Sequence, residues 1–222
     1  MYATHLGADV SPEDLACATA ELGSRWETLN VAVKPFFVGQ VNVAFIDAAI
    51  AIATKHRFQP DDIATVEALV PQRAIKVVCE PAELRKRPPD SYATQFSIYY
   101  AVACGLLRRK FGLAELECYR DPELLALCDK VSYRLDPNAG HPKHWTGEVV
   151  VTLKNGQVLR HREEDARGSV HNPLKEEDIV AKFDGNAQIA VSCERTGEIR
   201  DAILALGHDE RARDIGRVLS AL

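Results

Sequence analysis

Lys34 stands at the end of an apolar stretch, directly before Pro35, Phe36 and Phe37. An ammonium at such a place either stays charged and binds a carboxylate or, desolvated, gives up its proton readily. The plainer alternative is a lysine snorkelling to water. His141 and His144 stand three apart around Pro142 and Lys143, with Trp145 next. Two histidines at that spacing could hold a metal, but Pro142 disfavours a helix and no carboxylate or cysteine lies within three residues of either. A solvated loop without metal is the expectation. The runs Arg85-Lys86-Arg87 and Arg108-Arg109-Lys110 could bind an anion, yet both are short, and a solvated loop and a basic helix C-terminus account for them. The cysteines (Cys17, Cys79, Cys104, Cys118, Cys128 and Cys193) include no Cys-x-x-Cys and read as free structural thiols. Nucleotide-binding glycine motifs and Gly-x-Ser-x-Gly are absent.

The elements that must position these groups belong to a chain of 222 residues, 46% hydrophobic and 27% charged, which is enough apolar content for a globular core. With 27 Lys and Arg against 32 Asp and Glu, the net charge of −5 offers no basic excess for nucleic acid. The longest mostly apolar stretch, Val41 to Ala53, contains Asn42 and Asp47 and is too short to span a bilayer. Met1 to Ala20 has no Lys or Arg, and Pro12, Glu13 and Asp14 interrupt any apolar run, so no secretory signal is read there. The expectation is a soluble, cytoplasmic chain with no nucleic-acid or membrane partner.

Ser11, Pro12, Glu13 and Asp14 open a helix expected to reach Leu22, stopped by Gly23. Alternation from Trp26 to Lys34 predicts a strand, ended by Pro35. Val43, Ile46, Ala49, Ile50 and Ala53 follow a helical period up to His56. Ile63–Val70 reads as a second strand. Pro81, Pro88 and Pro89 argue against regular structure between them. Ser91 to Leu107 reads as one largely buried helix, with Tyr99 and Tyr100 keeping it partly wet. Asp121-Pro122 begins a helix to about Lys130. Asn155-Gly156 turns a hairpin between Gly147–Leu153 and Gln157–Arg162, and Val131–Leu135 is expected beside it. Helices follow near 174–188, 198–206 and 209–222. The order predicts an α+β fold with a small mixed or antiparallel sheet.

Several segments resemble one family. Lys34-Pro35-Phe36, Gly39 and Ile46-Asp47-Ala48-Ala49 are similar to the Lys-Pro-Tyr/Phe … Ile-Asp-Ala signature of the MmgE/PrpD proteins. Gln95 to Ala103 resembles that family's Phe-Ser helix, Val151 to Gly156 its hairpin, and Asn172-Pro173-Leu174 with Ala181-Lys182-Phe183 its return into helices. The family includes 2-methylcitrate dehydratase, cis-aconitate decarboxylase and iminodisuccinate epimerase. The resemblance implies a lyase or isomerase that moves a proton next to a carboxylate of a small di- or tricarboxylate, without cofactor or metal. It implies an α/β lid-like domain over 25–170 and closing helices over 171–222 that would pack on a helical domain, and the residues themselves add a helical segment over 1–24. The family's Asp and His acid–base groups lie in a helical half, which a separate chain or a longer chain would supply. Lys34 and Tyr100 match the family's lysine and tyrosine and are the expected catalytic residues. Departures stand at Val43, Gln40 and Val38, where members often carry His, Arg and Cys. They leave a non-catalytic binding or assembly module as the alternative. A homodimer is expected in either case.

Overall fold

The computed structural model describes residues 11, 13, 16, 20–141, 143–207 and 212–220. It divides into two compact units, residues 1–32 and 33–222. Half of the residues of the helix expected over Ser11–Leu22 lie outside the described residues. In the first unit a turn places Gly23 at φ 83°, a left-handed angle that suits glycine, and Glu27–Asn30 forms one 3-10 turn.

The strand expected from Trp26 to Lys34 therefore does not form. Alternation makes a strand only where a neighbour supplies the ladder and a face is buried. Here Leu29 is 81% and Val31 is 61% exposed, and the sheet uses neither.

In the second unit, α1 (Val43–Lys55) is buried along most of its length, from Val43 to Ala53. After β1 (Ile63–Val70) come the short helix α2 (Ala82–Lys86) and then α3 (Ile98–Arg108). The prolines expected to prevent structure flank α2 rather than enter it, which leaves its five residues free to wind. The single helix expected over Ser91 to Leu107 is two. Asp90 caps Ser91–Thr94 by accepting from Ala93 N–H, and Ser97 caps α3 by accepting from Tyr100 N–H at 3.0 Å. Asp121 caps α4 (Pro122–Lys130) in the same way through Glu123 N–H, as its sequence predicts.

β2 (Val131–Leu135), β3 (Gly147–Leu153) and β4 (Val158–Glu163) complete a four-stranded sheet in the order β2-β1-β3-β4. The sheet is mixed: β1 runs parallel to β2 (Val66 opposite Val131) and antiparallel to β3 (Val66 opposite Val151). β2 thus lies beside β1 and not beside the hairpin, because α4 returns the chain across the sheet to the far edge. Gly156, at φ 86°, makes the hairpin turn. Val66, Ala68 and Val70 of β1 and Val149, Val151 and Leu153 of β3 are buried at the two-residue period of a half-covered sheet. α1 lies over β3 and β4 and packs on α3, which packs on α4. Gly105 permits the close crossing, since a Cβ there would sit 2.8 Å from that of Ala49.

Tyr99 and Tyr100 are not wet; they are 2% and 0% exposed. Each hydroxyl finds a buried carbonyl, Cys79 O for Tyr99 at 3.1 Å and Glu115 O for Tyr100 at 2.5 Å, so each ring can enter the core with its polar tip satisfied. Among the described residues Cys79, Cys104, Cys118, Cys128 and Cys193 are free thiols. Burial pushes the Cys79 and Cys128 thiols up to about 12, which leaves them inert at neutral pH.

The chain closes with α5 (Glu176–Ala187), α6 (Cys193–Leu204) and α7 (Ala212–Ser220). α5 buries no residue, and Ile179, Ile189, Ile203 and Leu204 are exposed. No described helix is long and apolar enough to cross a membrane.

Candidate functional site

Residues 33–39 form no helix or strand, and the fold fixes them by backbone bonds at both ends. Val33 N–H donates to Gly168 O at 2.8 Å, and Gly39 N–H donates to Gln95 O at 2.9 Å. Asn42, fully buried, adds its amide to the same Gln95 oxygen. Phe36 points into the core and Phe37 lies half-buried. Lys34 is exposed, and its ammonium donates to Val38 O at 3.2 Å.

Two cations from distant sequence join this segment. Lys182 of α5 reaches back so that its Nζ donates to the Lys34 carbonyl at 2.5 Å and lies 5.1 Å from the Phe37 ring centre. Burial, and then the charge of Lys34, hold the Lys182 ammonium below its usual range. Arg167 spreads over Phe36 and bonds Asp47 of α1 with two nitrogens, at 3.0 and 3.3 Å. Its third contact is Asp178 of α5 at 3.0 Å. Burial lifts the Asp47 carboxyl above its usual value against the pull of Arg167. Arg167 is therefore a bracket between α1, α5 and the Phe36 segment, and the acid of the Ile46-Asp47-Ala48 motif is its anchor.

Of the two expected catalytic residues, Lys34 faces solvent and Tyr100 lies within the core. Burial raises the Tyr100 phenol far above its ordinary range, and its one proton goes to Glu115 O. What joins the two residues is a row of rings. Phe36 meets Phe111 edge-on with centres 6.4 Å apart, and Phe111 meets Tyr100 at 6.2 Å. Tyr100 supports the seat of the lysine motif from behind.

Half of the two basic runs is taken up by carboxylates. Arg87 pairs with Asp129, Arg108 with Asp121, and Lys110 with Glu115. A groove of about 420 Å³ along Phe58, Pro60, Arg108, Arg109 and Glu123 contains neither Lys34 nor Tyr100. A shallower hollow of about 280 Å³ is lined by Asp47, Lys55, Glu163, Arg167 and Asn172.

Sequence reasoning missed Lys182 and Arg167 as partners of the motif. Ala181-Lys182-Phe183 was visible as a segment, but nothing local says that its lysine returns to Lys34. Arg167 stands beside Gly168, whose φ of 86° turns the loop, and from there its guanidinium reaches Asp47, 120 residues away in sequence.

A family model described as MmgE/PrpD C-terminal domain matches residues 40–208, a stretch that includes Asp47, Tyr100, Arg167 and Lys182 and begins just after Lys34. No curated protein matches the chain.

Proposed function

Because this chain belongs to the MmgE/PrpD family, we propose that its Lys34–Lys182 face is the carboxylate-binding wall of a cofactor-independent lyase or isomerase. The substrate class is a small di- or tricarboxylate, and the reaction is proton transfer at the carbon next to a carboxylate. The observation that carries this reading is the convergence of two ammoniums on one short backbone stretch. Like charges near one another are relieved by an anion, and the Lys182 ammonium, whose proton affinity is lowered first by burial and second by the charge of Lys34, would regain stability beside a carboxylate.

In this reading the two lysines neutralise a substrate carboxylate and stabilise the enolate-like charge that develops as the neighbouring C–H bond breaks. Proton transfer itself needs an acid or base within hydrogen-bond reach, and a helical half supplies it. Tyr100 joins the chemistry only if closure of that half frees its hydroxyl from Glu115 O. The exposed apolar residues of α5 and α6 are the surface on which helices, or a second copy in a homodimer, would pack.

The test compares this chain alone with the chain joined to a helical half of the family. Alone it binds citrate and turns over neither 2-methylcitrate nor cis-aconitate; joined, it turns over a member of that class. Turnover by the chain alone, or no citrate binding, overturns the proposal. The alternative of a binding or assembly module rests on the buried, committed hydroxyl of Tyr100 and on Val43, which is sealed in the core where the family's histidine often stands. Citrate binding without turnover in the joined protein would favour it.

A further inference from the structure

The β3–β4 register sets Gly147 opposite Glu163. Continuing outward, it brings the residues just before β3 against those just after β4. Trp145 N–H thus points to Asp165 Oδ1 at 3.4 Å, and His144 Nδ1 lies 3.0 Å from Asp165 Oδ2. The loop then doubles back. Gly168 N–H donates to Asn172 O, and the Asn172 amide donates to Asp165 O at 3.0 Å. This fold-back carries His171 to His144, with ring centres 5.0 Å apart. One ligand atom from each of His144, Asp165 and His171 lies within 4.8 Å of the others. His141, the nearer histidine in sequence, instead packs on Trp145.

A hydrogen-bonded His–Asp pair explains His144 and Asp165 but gives no reason for a second imidazole against the first. We propose that His144, Asp165 and His171 form a binding site for a divalent transition metal of the zinc class, clamping the loop before β3 to the loop after β4. Two imidazoles and one carboxylate suit zinc and its neighbours, whereas calcium and magnesium require mostly oxygen ligands. Two ligands each about 2.1 Å from a tetrahedral zinc stand about 3.4 Å apart, so a pair at the 4.8 Å limit would close by roughly 1.4 Å. His171 is exposed, so rotation of its side chain toward the other two ligands would meet solvent rather than the core. His144 and Asp165 already have a spacing near that of ligands on one ion, and the metal would take the place of the proton they share. The Asp165 side chain is 11% exposed and is further held by Ser169 and the Trp145 N–H, which supplies the fixed outer contacts a metal ligand needs.

The clamp has a consequence for the lysine face. Gly168 O, which receives Val33 N–H, and Arg167, which brackets Asp47 and Phe36, belong to the same loop. Metal binding would stiffen the support of Lys34 without entering its chemistry, so the metal site stands or falls independently of the carboxylate proposal.

The test uses the whole chain, freed of metal with a chelator and titrated with Zn²⁺ by calorimetry, with Co²⁺ as a spectroscopic probe. One equivalent of Zn²⁺, a raised thermal midpoint and the visible absorption of a low-coordinate Co²⁺ site are expected. His171→Ala, at an exposed position, should leave the metal-free midpoint unchanged and weaken Zn²⁺ binding at least tenfold. Asp165→Asn, which can still accept from Trp145, should weaken it similarly, and His141→Ala should not. Equal affinity in the wild type and His171→Ala, or the absence of a single-equivalent site, overturns the proposal.

Discussion

Lys182 donates a hydrogen bond from Nζ to the backbone carbonyl of Lys34, across 148 residues of sequence. The contact ties the Lys182 ammonium to the backbone of a segment that has no secondary structure of its own and whose Lys34 ammonium donates to Val38 O. It is the reason the anion site is proposed here rather than at the basic runs, where Arg87, Arg108 and Lys110 already meet Asp129, Asp121 and Glu115.

If the pair receives a carboxylate, Lys34→Ala and Lys182→Ala should each weaken citrate binding about tenfold, which is about 1.4 kcal/mol. The double variant should lose less than the sum, because the two ammoniums share one ligand. Calorimetry at two salt concentrations checks this, with weaker binding at the higher one. Unchanged affinity in both single variants would remove the site.

The depressed Lys182 proton affinity gives a pH dependence whose sign can be worked out. Between the lowered folded value and the unfolded value of 10.5, the unfolded chain holds the extra proton, so stability rises with pH through that window. Carboxylate affinity runs the other way and falls as the ammonium loses its charge. Lys182→Arg should flatten both trends, since a guanidinium stays protonated. Urea unfolding and citrate titrations at stepped alkaline pH are the measurements.

Arg167 bonds Asp47 with two nitrogens and Asp178 with a third contact. Arg167→Ala leaves the mostly buried Asp47 without its partner and should destabilise the chain by about 2 kcal/mol, discounted from a fully buried pair because Arg167 is 31% exposed. Arg167→Lys should recover only part of this, as a lysine cannot bridge both oxygens. A cycle with Asp47→Asn should show strong coupling in urea unfolding, and independent effects would contradict the bracket.

Tyr100→Phe removes the donor to Glu115 O inside the core. The expected loss is about 1 kcal/mol of stability, with citrate affinity of the chain alone unchanged. A tenfold fall in affinity would instead show that the phenol reaches the ligand.

Gly168 adopts φ 86°, and a Cβ there would come within 1.8 Å of Val33 O. Gly168→Ala should therefore cost on the order of 2 kcal/mol and displace the Val33–Lys34 segment, lowering citrate affinity as well. A fluorine label near Phe36 would report the displacement, and an unshifted signal would argue against it.

Elements whose signals are local were legible along the chain. β1 follows from Ile63 to Val70, the hairpin from Asn155-Gly156, and α4 from its Asp121-Pro122 start, because alternation, turn chemistry and capping act over a few residues. The sequence also carried the family, through motifs strung from Lys34 to Phe183. It misled where a local pattern lacked its tertiary complement. Leu29, Val31 and Val33 alternate like a strand but have no neighbouring ladder, and Tyr99 and Tyr100 entered the core because Cys79 and Glu115 offered carbonyls to their hydroxyls. Only the tertiary structure brought Lys182 to Lys34, Arg167 to Asp47, and His144 to Asp165 and His171. Such meetings depend on the sheet order and on the turn at Gly168, and a binding site needs charges close in space, which spacing along the chain does not specify.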